Sequence, residues 1–113
     1  MAEARGIVLR RQYDDLRRRI DAADTPARSA CFNYIRSTFS SISGAYELAS
    51  NADRERMLKA VLDVSRKLWD AGNRPQALAL GVIMLNIESR FVAGDDATFV
   101  KAETDALIKD ESS

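Results

Sequence analysis

The sequence contains no histidine, and only one cysteine, two prolines and five glycines in 113 residues. Each scarcity excludes something. Without histidine there is no imidazole for acid–base catalysis and no histidine-bearing zinc site. One cysteine rules out a disulfide framework within the chain and a four-cysteine metal site. So little proline and glycine leaves few breakpoints, and long uninterrupted elements are expected. Net charge is missing as well, since 17 Lys+Arg meet 17 Asp+Glu. A dedicated nucleic-acid-binding domain is expected to be basic, so no nucleic-acid partner is expected here.

Long apolar runs are also absent. The longest, Ala77 to Leu85 counting Gly81, has nine residues, whereas a membrane span needs about twenty. Ile7, Val8 and Leu9 stop at once at Arg10 and Arg11, which is no signal-peptide pattern, and no lipidation motif occurs. No membrane partner is expected. A single thiol without an export signal fits a reducing cytoplasm. Thirteen Arg against four Lys, beside seventeen Ala, suit a GC-rich bacterial genome.

What the chain does have is helix-forming material. Alanine has the best intrinsic helix propensity, and the length suits one domain over residues 1–113. Helical wheels give five segments. Segment one, about Ala4 to Ala22, carries a narrow seam of Leu9, Tyr13, Leu16 and Ile20 on an otherwise charged surface. Asp14–Arg18, Asp15–Arg19 and Arg17–Asp21 stand four apart, as helical ion pairs do. So narrow a seam suits a single partner helix.

Segment two starts at Thr25-Pro26, read as a cap followed by proline in the first turn. Cys31, Ile35, Phe39, Ile42 and Tyr46 keep one helical register through Gly44 to about Ala49. A kink at Gly44 would be the main departure. Ser37, Ser40, Ser41 and Ser43 fall mostly opposite. Segment three follows a cap at Ser50 or Asn51. It has one stripe of Met57, Val61, Val64 and Leu68 and a second of Leu58, Leu62 and Trp69, together about half the wheel. Gly72 is its stop.

Segment four opens at Asn73 or Arg74 and runs to Gly94. One side carries Leu80, Ile83, Met84, Ile87 and Phe91, the opposite side Leu78, Val82, Leu85 and Val92. Ala77 and Gly81 between them would let a neighbouring backbone come close. A helix apolar on two sides is buried on two sides, either as the central helix or as half of a subunit interface. Segment five takes Asp95 or Asp96 as cap and spans about Ala97 to Lys109, with Asp110 to Ser113 frayed. No strand alternation or hairpin turn appears, and the connections are short. The expected fold is all-α: a four- or five-helix bundle, mostly antiparallel, with segment four most buried.

Leu68-Trp69-Asp70-Ala71-Gly72-Asn73, followed by Ala77-Leu78-Ala79-Leu80, resembles the turn of a tetratricopeptide hairpin. The resemblance covers one helix pair with no second copy, and repeat folds need stacked neighbours. It implies a helical hairpin and no family.

Catalytic chemistry is hard to build from these residues. Cys31 has no histidine to activate it and lies on an apolar stripe, as a buried inert thiol does. The serines near Phe39 suit a solvated or close-packed face better than a modified one. Asp14-Asp15 and Asp95-Asp96 are neighbours pointing about 100° apart on a helix, so neither pair converges on a metal. No calcium loop, phosphate loop or dinucleotide glycine pattern occurs. Cofactors and metals are therefore not expected.

Arg17-Arg18-Arg19 is interleaved with Asp14, Asp15 and Asp21, which repel phosphates. Residues 1–22 are net +2 and residues 94–113 net −4, so a basic first helix and an acidic tail can attract each other, within one chain or between two. Asn86 and Glu88 interrupt the most apolar segment, and a buried Asn there is expected to fix register.

The function expected is a small non-enzymatic interaction module, regulatory or adaptor in kind, acting as a homodimer. Its contact surface would be Leu9, Tyr13, Leu16 and Ile20, or Leu78, Val82 and Leu85. The alternative is a bundle enclosing an apolar small molecule lined by Phe39, Trp69, Met84 and Ile87.

Overall fold

A computed structural model of the chain describes residues 2–110. Five helices follow one another: α1 Ala2–Ala22, α2 Thr25–Leu48, α3 Asn51–Asp70, α4 Arg74–Ser89 and α5 Asp95–Asp110. They form the all-α, mostly antiparallel bundle that the wheels predict, and the described residues include no strand. The Cα radius of gyration is 13.4 Å, near the ~13 Å of a compact domain this long.

The helix ends show what stops and starts each element. Asp24, and not Thr25, caps α2: its Oδ1 accepts from the Ala27 amide at 2.9 Å. An aspartate ahead of Thr25-Pro26 satisfies an orphan donor and leaves proline in the first turn. Ser50 caps α3 by accepting from the Asp53 amide at 3.2 Å. Gly72 ends that helix with φ +89°, as the left-handed stop requires. The α2 helix runs unbroken through Gly44.

Two ends differ from expectation. The α4 helix stops at Ser89, well before Gly94, and Arg90–Gly94 make the turn into α5. Gly94, at φ +112°, closes that turn, and its carbonyl accepts from the Thr98 amide at 3.1 Å. Asp95 and Asp96 are thus first-turn residues of α5, where their charge favours the helix dipole. The α5 helix includes Asp110, and the expected fraying of 111–113 lies outside the described residues.

The core is built around α4, which packs against α1, α2, α3 and α5. Leu80, Ile83, Met84 and Ile87 are buried on one side, Leu78, Val82 and Leu85 on the other. Both apolar faces of α4 itself are therefore closed within one chain, whereas Phe91 and Val92, expected on those faces, fall in the turn after the helix, where Phe91 is 47% exposed and Val92 half-buried. The α1 seam is used in the same way. Leu9, Tyr13 and Ile20 are buried against α4 and α5, while Leu16 lies half-buried over Gly81. A Cβ on Gly81 would stand 3.2 Å from Leu16 Cδ1, so this glycine admits the side chain of the neighbouring helix.

Polar contacts join the same elements. The opposite charges of the two chain ends meet within the monomer: Arg10 pairs with Asp96 at 3.5 Å and lies 3.6 Å over the Phe99 ring. Tyr13 donates to Glu103 Oε1 at 3.0 Å. On α1, Asp14 pairs with Arg10 and Asp15 with Arg18 and Arg19, so the expected Asp14–Arg18 pair gives way to its neighbours. Arg17–Asp21 forms as spaced.

Asn86 is 0% exposed. Its amide donates to Thr104 Oγ1 at 3.0 Å and Asp105 Oδ1 at 2.7 Å, and its carbonyl accepts from Arg90 at 2.8 Å. Those bonds fix α4 against α5. Arg90 reaches on to Ser43 at 3.4 Å, which is buried on α2 rather than facing solvent with the other serines.

Candidate functional site

The α3 helix has the broadest amphipathic stripe of the molecule, yet none of its twenty residues is buried. It rests chiefly on α4. Met57, Leu58, Val61, Leu68 and Trp69 are half-buried there, while Leu62 and Val64, at the two margins of the stripe, remain 46% and 48% exposed. One neighbour covers the middle of a stripe half a wheel wide and leaves its flanks open.

On the Leu62 side this leaves a cleft between α1 and α3, floored by α4. It holds about 360 Å³ and is walled by Leu16 and Arg19 of α1, Leu62, Arg66 and Trp69 of α3, and Gly81, Met84 and Leu85 of α4. Two guanidiniums, Arg19 and Arg74, each lie 4.8 Å from the centroid of the Trp69 ring. The chemistry here is apolar with an aromatic wall and a rim of both signs, Asp15 against Arg19 and Arg66. Such a surface binds by area and stacking.

Glu88 lies where this cleft adjoins two others. It lines the cleft itself, a smaller hollow with Arg5, Val8, Leu9, Gln12 and Val92, and a third cavity at the far end of α4. Among the described residues its carboxylate makes no hydrogen bond or close ion pair, while its backbone carbonyl accepts from the Phe91 amide at 3.0 Å. Burial pushes its carboxyl above the ordinary glutamate value, and the charge of Arg5 pulls partly the other way. The third cavity, about 350 Å³, also contains Tyr46, which is 1% exposed. Its Oη is buried with no hydrogen-bond partner among the described residues. Burying a hydroxyl unpaired costs roughly 1–3 kcal/mol. Burial, then the nearby Glu88 charge, raises the Tyr46 phenol to about 12.

The residues singled out from sequence distribute as follows. Trp69 and Met84 share the cleft. Ile87 lines the Tyr46 cavity instead. Phe39 lies on α2, 5.8 Å beneath the Arg90 guanidinium. The four do not enclose one common space. Of the interface candidates, Leu9, Tyr13, Ile20 and Val82 are interior, and Leu16, Leu78 and Leu85 reach the cleft wall or floor. Cys31 is buried with Ile35 on α2. Glu88 was visible in sequence as an interruption of an apolar helix. Tyr46 was not, because its spacing makes it one more member of the α2 stripe.

Among the described residues no three Cys, Asp or Glu side chains converge as a metal would need, and no helix is long and apolar enough to cross a membrane. Comparison with known protein families, with curated proteins and with solved structures finds no match to this chain.

Proposed function

We propose that the chain is a non-catalytic interaction module that pairs with a second copy of itself through α3. The observation that carries this reading is the helix with the clearest apolar stripe and no buried residue. Exposed apolar area of that kind is worth roughly 1.5–3 kcal/mol per Leu or Val side chain when covered. The occupant is a second copy because the rim favours neither sign of charge and the whole chain is neutral. An acidic or basic peptide would find no electrostatic preference, whereas two identical stripes complement each other about a two-fold axis.

Sedimentation equilibrium tests the proposal. The expected result is a mass that rises from 12.6 kDa towards twice that value over the micromolar range. Leu62→Asp should return a folded monomer, since the side chain is exposed within its own chain. A mass of 12.6 kDa independent of concentration would overturn the reading.

A second reading has its own support. Trp69 and Met84 meet in a cleft of about 360 Å³ that also presents Leu16, Leu62, Leu78 and Leu85 beneath a charged rim, a size and lining that suit an apolar or aromatic small molecule. A fatty acid or aromatic compound that quenches Trp69 fluorescence and raises the melting temperature of the monomer would favour it.

A further inference from the structure

The cleft between α1 and α3 has two unlike ends. Ala77 and Glu88 both line it, and the helical rise of α4 sets them roughly 16 Å apart. At the Ala77 end stand Trp69, in the last turn of α3, Arg66 one turn before it, and Arg19 of α1 over the indole. At the other end stand Gln12 and Glu88, which also line the next hollow together. The stretch between is apolar, with Leu16, Leu62, Met84 and Leu85. Summed over the lining the charges balance, Arg19 and Arg66 against Asp15 and Glu88. A long partner spans both signs, but a single small head group meets only one end.

Positive charge is in excess at the Trp69 end. Asp15, the acidic group there, is engaged by Arg18 at 3.4 Å and Arg19 at 3.2 Å. Arg74 stacks on the Trp69 ring without a carboxylate partner among the described residues. Arg66 has no partner of any kind among them. Asp63, a turn before Arg66, pairs with Lys67 at 3.1 Å instead, and Asp70, a turn after, forms no ion pair with it. An unpaired guanidinium presents a donor fork that matches a carboxylate. At the opposite end the Glu88 carboxylate repels one. The cleft therefore has a direction.

Taking the cleft as a small-molecule site, the second reading of its function, we propose that its ligand is an amphipathic carboxylate of the fatty-acid type. The carboxylate lies on Arg66 and Arg19 beside Trp69, and the chain runs over Leu16, Leu62, Met84 and Leu85 and ends short of Glu88. An extended chain of about ten carbons fits that span and a volume of about 360 Å³.

Trp69 is the one tryptophan of the chain, so its fluorescence reports from the head-group end. The full chain is titrated with decanoate and with decanol, at protein concentrations below those of the proposed self-association. Decanoate should bind at least about threefold more tightly than decanol, and raising the salt concentration should narrow the gap. Arg66 is exposed, so Arg66→Gln should fold like the parent. It should weaken decanoate binding about fivefold and leave decanol unchanged. Decanoate brominated beside its carboxylate should quench Trp69 more strongly than decanoate brominated at the chain end. Equal binding of acid and alcohol, unchanged decanoate affinity in Arg66→Gln, or stronger quenching by the end-brominated acid would each overturn the proposal while leaving an apolar small-molecule site in place. Binding of neither probe would overturn that site as well.

Discussion

The helices α3 and α4 are consecutive, joined by a tight turn, and treated in opposite ways by the fold. Eleven of the sixteen residues of α4 are buried, and none of the twenty of α3. Yet α3 has the cleaner division into apolar and charged faces, while α4 is apolar nearly all round. An amphipathic pattern states which side of a helix faces protein. How deeply that side is buried depends on the number of helices that reach it. Four reach α4, and α3 rests chiefly on one. The consequence is that the helix whose pattern looks most like an ordinary core helix is the one that keeps apolar side chains exposed, and it is there that self-association is proposed.

The largest test of that difference is a pair of truncations. Ile83 of α4 is fully buried, and Ile83→Ala should cost about 2–5 kcal/mol through lost transfer energy and a cavity. Leu62→Ala on α3, measured by urea unfolding at a concentration where the monomer dominates, should change stability by less than about 0.5 kcal/mol. Comparable costs at the two sites would mean that α3 is packed as tightly as α4, and the contrast would disappear.

Much of this architecture is legible in the sequence. The 3.6-residue spacing locates all five helices, and the two apolar sides of Leu80–Ile87 and Leu78–Leu85 identify α4 as central. The spacing of Ala77 and Gly81 anticipates a close approach, but a leucine side chain, Leu16, makes it rather than a neighbouring backbone. What periodicity does not carry is which neighbour covers a given face. Leu78, Val82 and Leu85 could equally have met a second subunit, and only the path of the chain closes them. The site is less legible still. Glu88 stands out as a polar interruption, but Tyr46 shares the spacing of Cys31 and Ile35. Its unpaired hydroxyl becomes visible only when α1, α2 and α3 are assembled around the end of α4. Helix ends fail for a local reason: Asp24 and Thr25 are both good caps, and the hydrogen bond to Ala27 selects Asp24.

The turn that seats α3 on α4 can be weakened without touching either face. Gly72 sits at φ +89°, and Gly72→Ala should cost roughly 1–2 kcal/mol through left-handed strain. Gly44, inside α2, has no atom within 4 Å of where a Cβ would stand. Gly44→Ala should therefore stabilise by about 0.8–1.0 kcal/mol, the difference in helix propensity. Opposite shifts in melting temperature are expected. The same sign at both positions would contradict either the turn or the continuity of α2.

The smallest expected effect separates the two polar residues of α4 from each other. Asn86 is satisfied on every side, whereas Glu88 faces the cavities with its carboxyl held above the ordinary value, chiefly by burial and partly countered by Arg5. In the unfolded chain that carboxyl loses its proton at about 4.3. Between that value and the raised one, the folded protein binds more protons than the unfolded chain. Stability therefore falls as pH rises through this window, and the advantage of the protonated form is complete only below it. Glu88→Gln removes the group that titrates. Its melting temperature should exceed that of the parent at neutral pH by less than about 4 °C, and the gap should shrink as pH falls through the window. A gap that is constant with pH would show that Glu88 is solvated like a surface residue. Glu88 would then no longer differ from the exposed charges of α3.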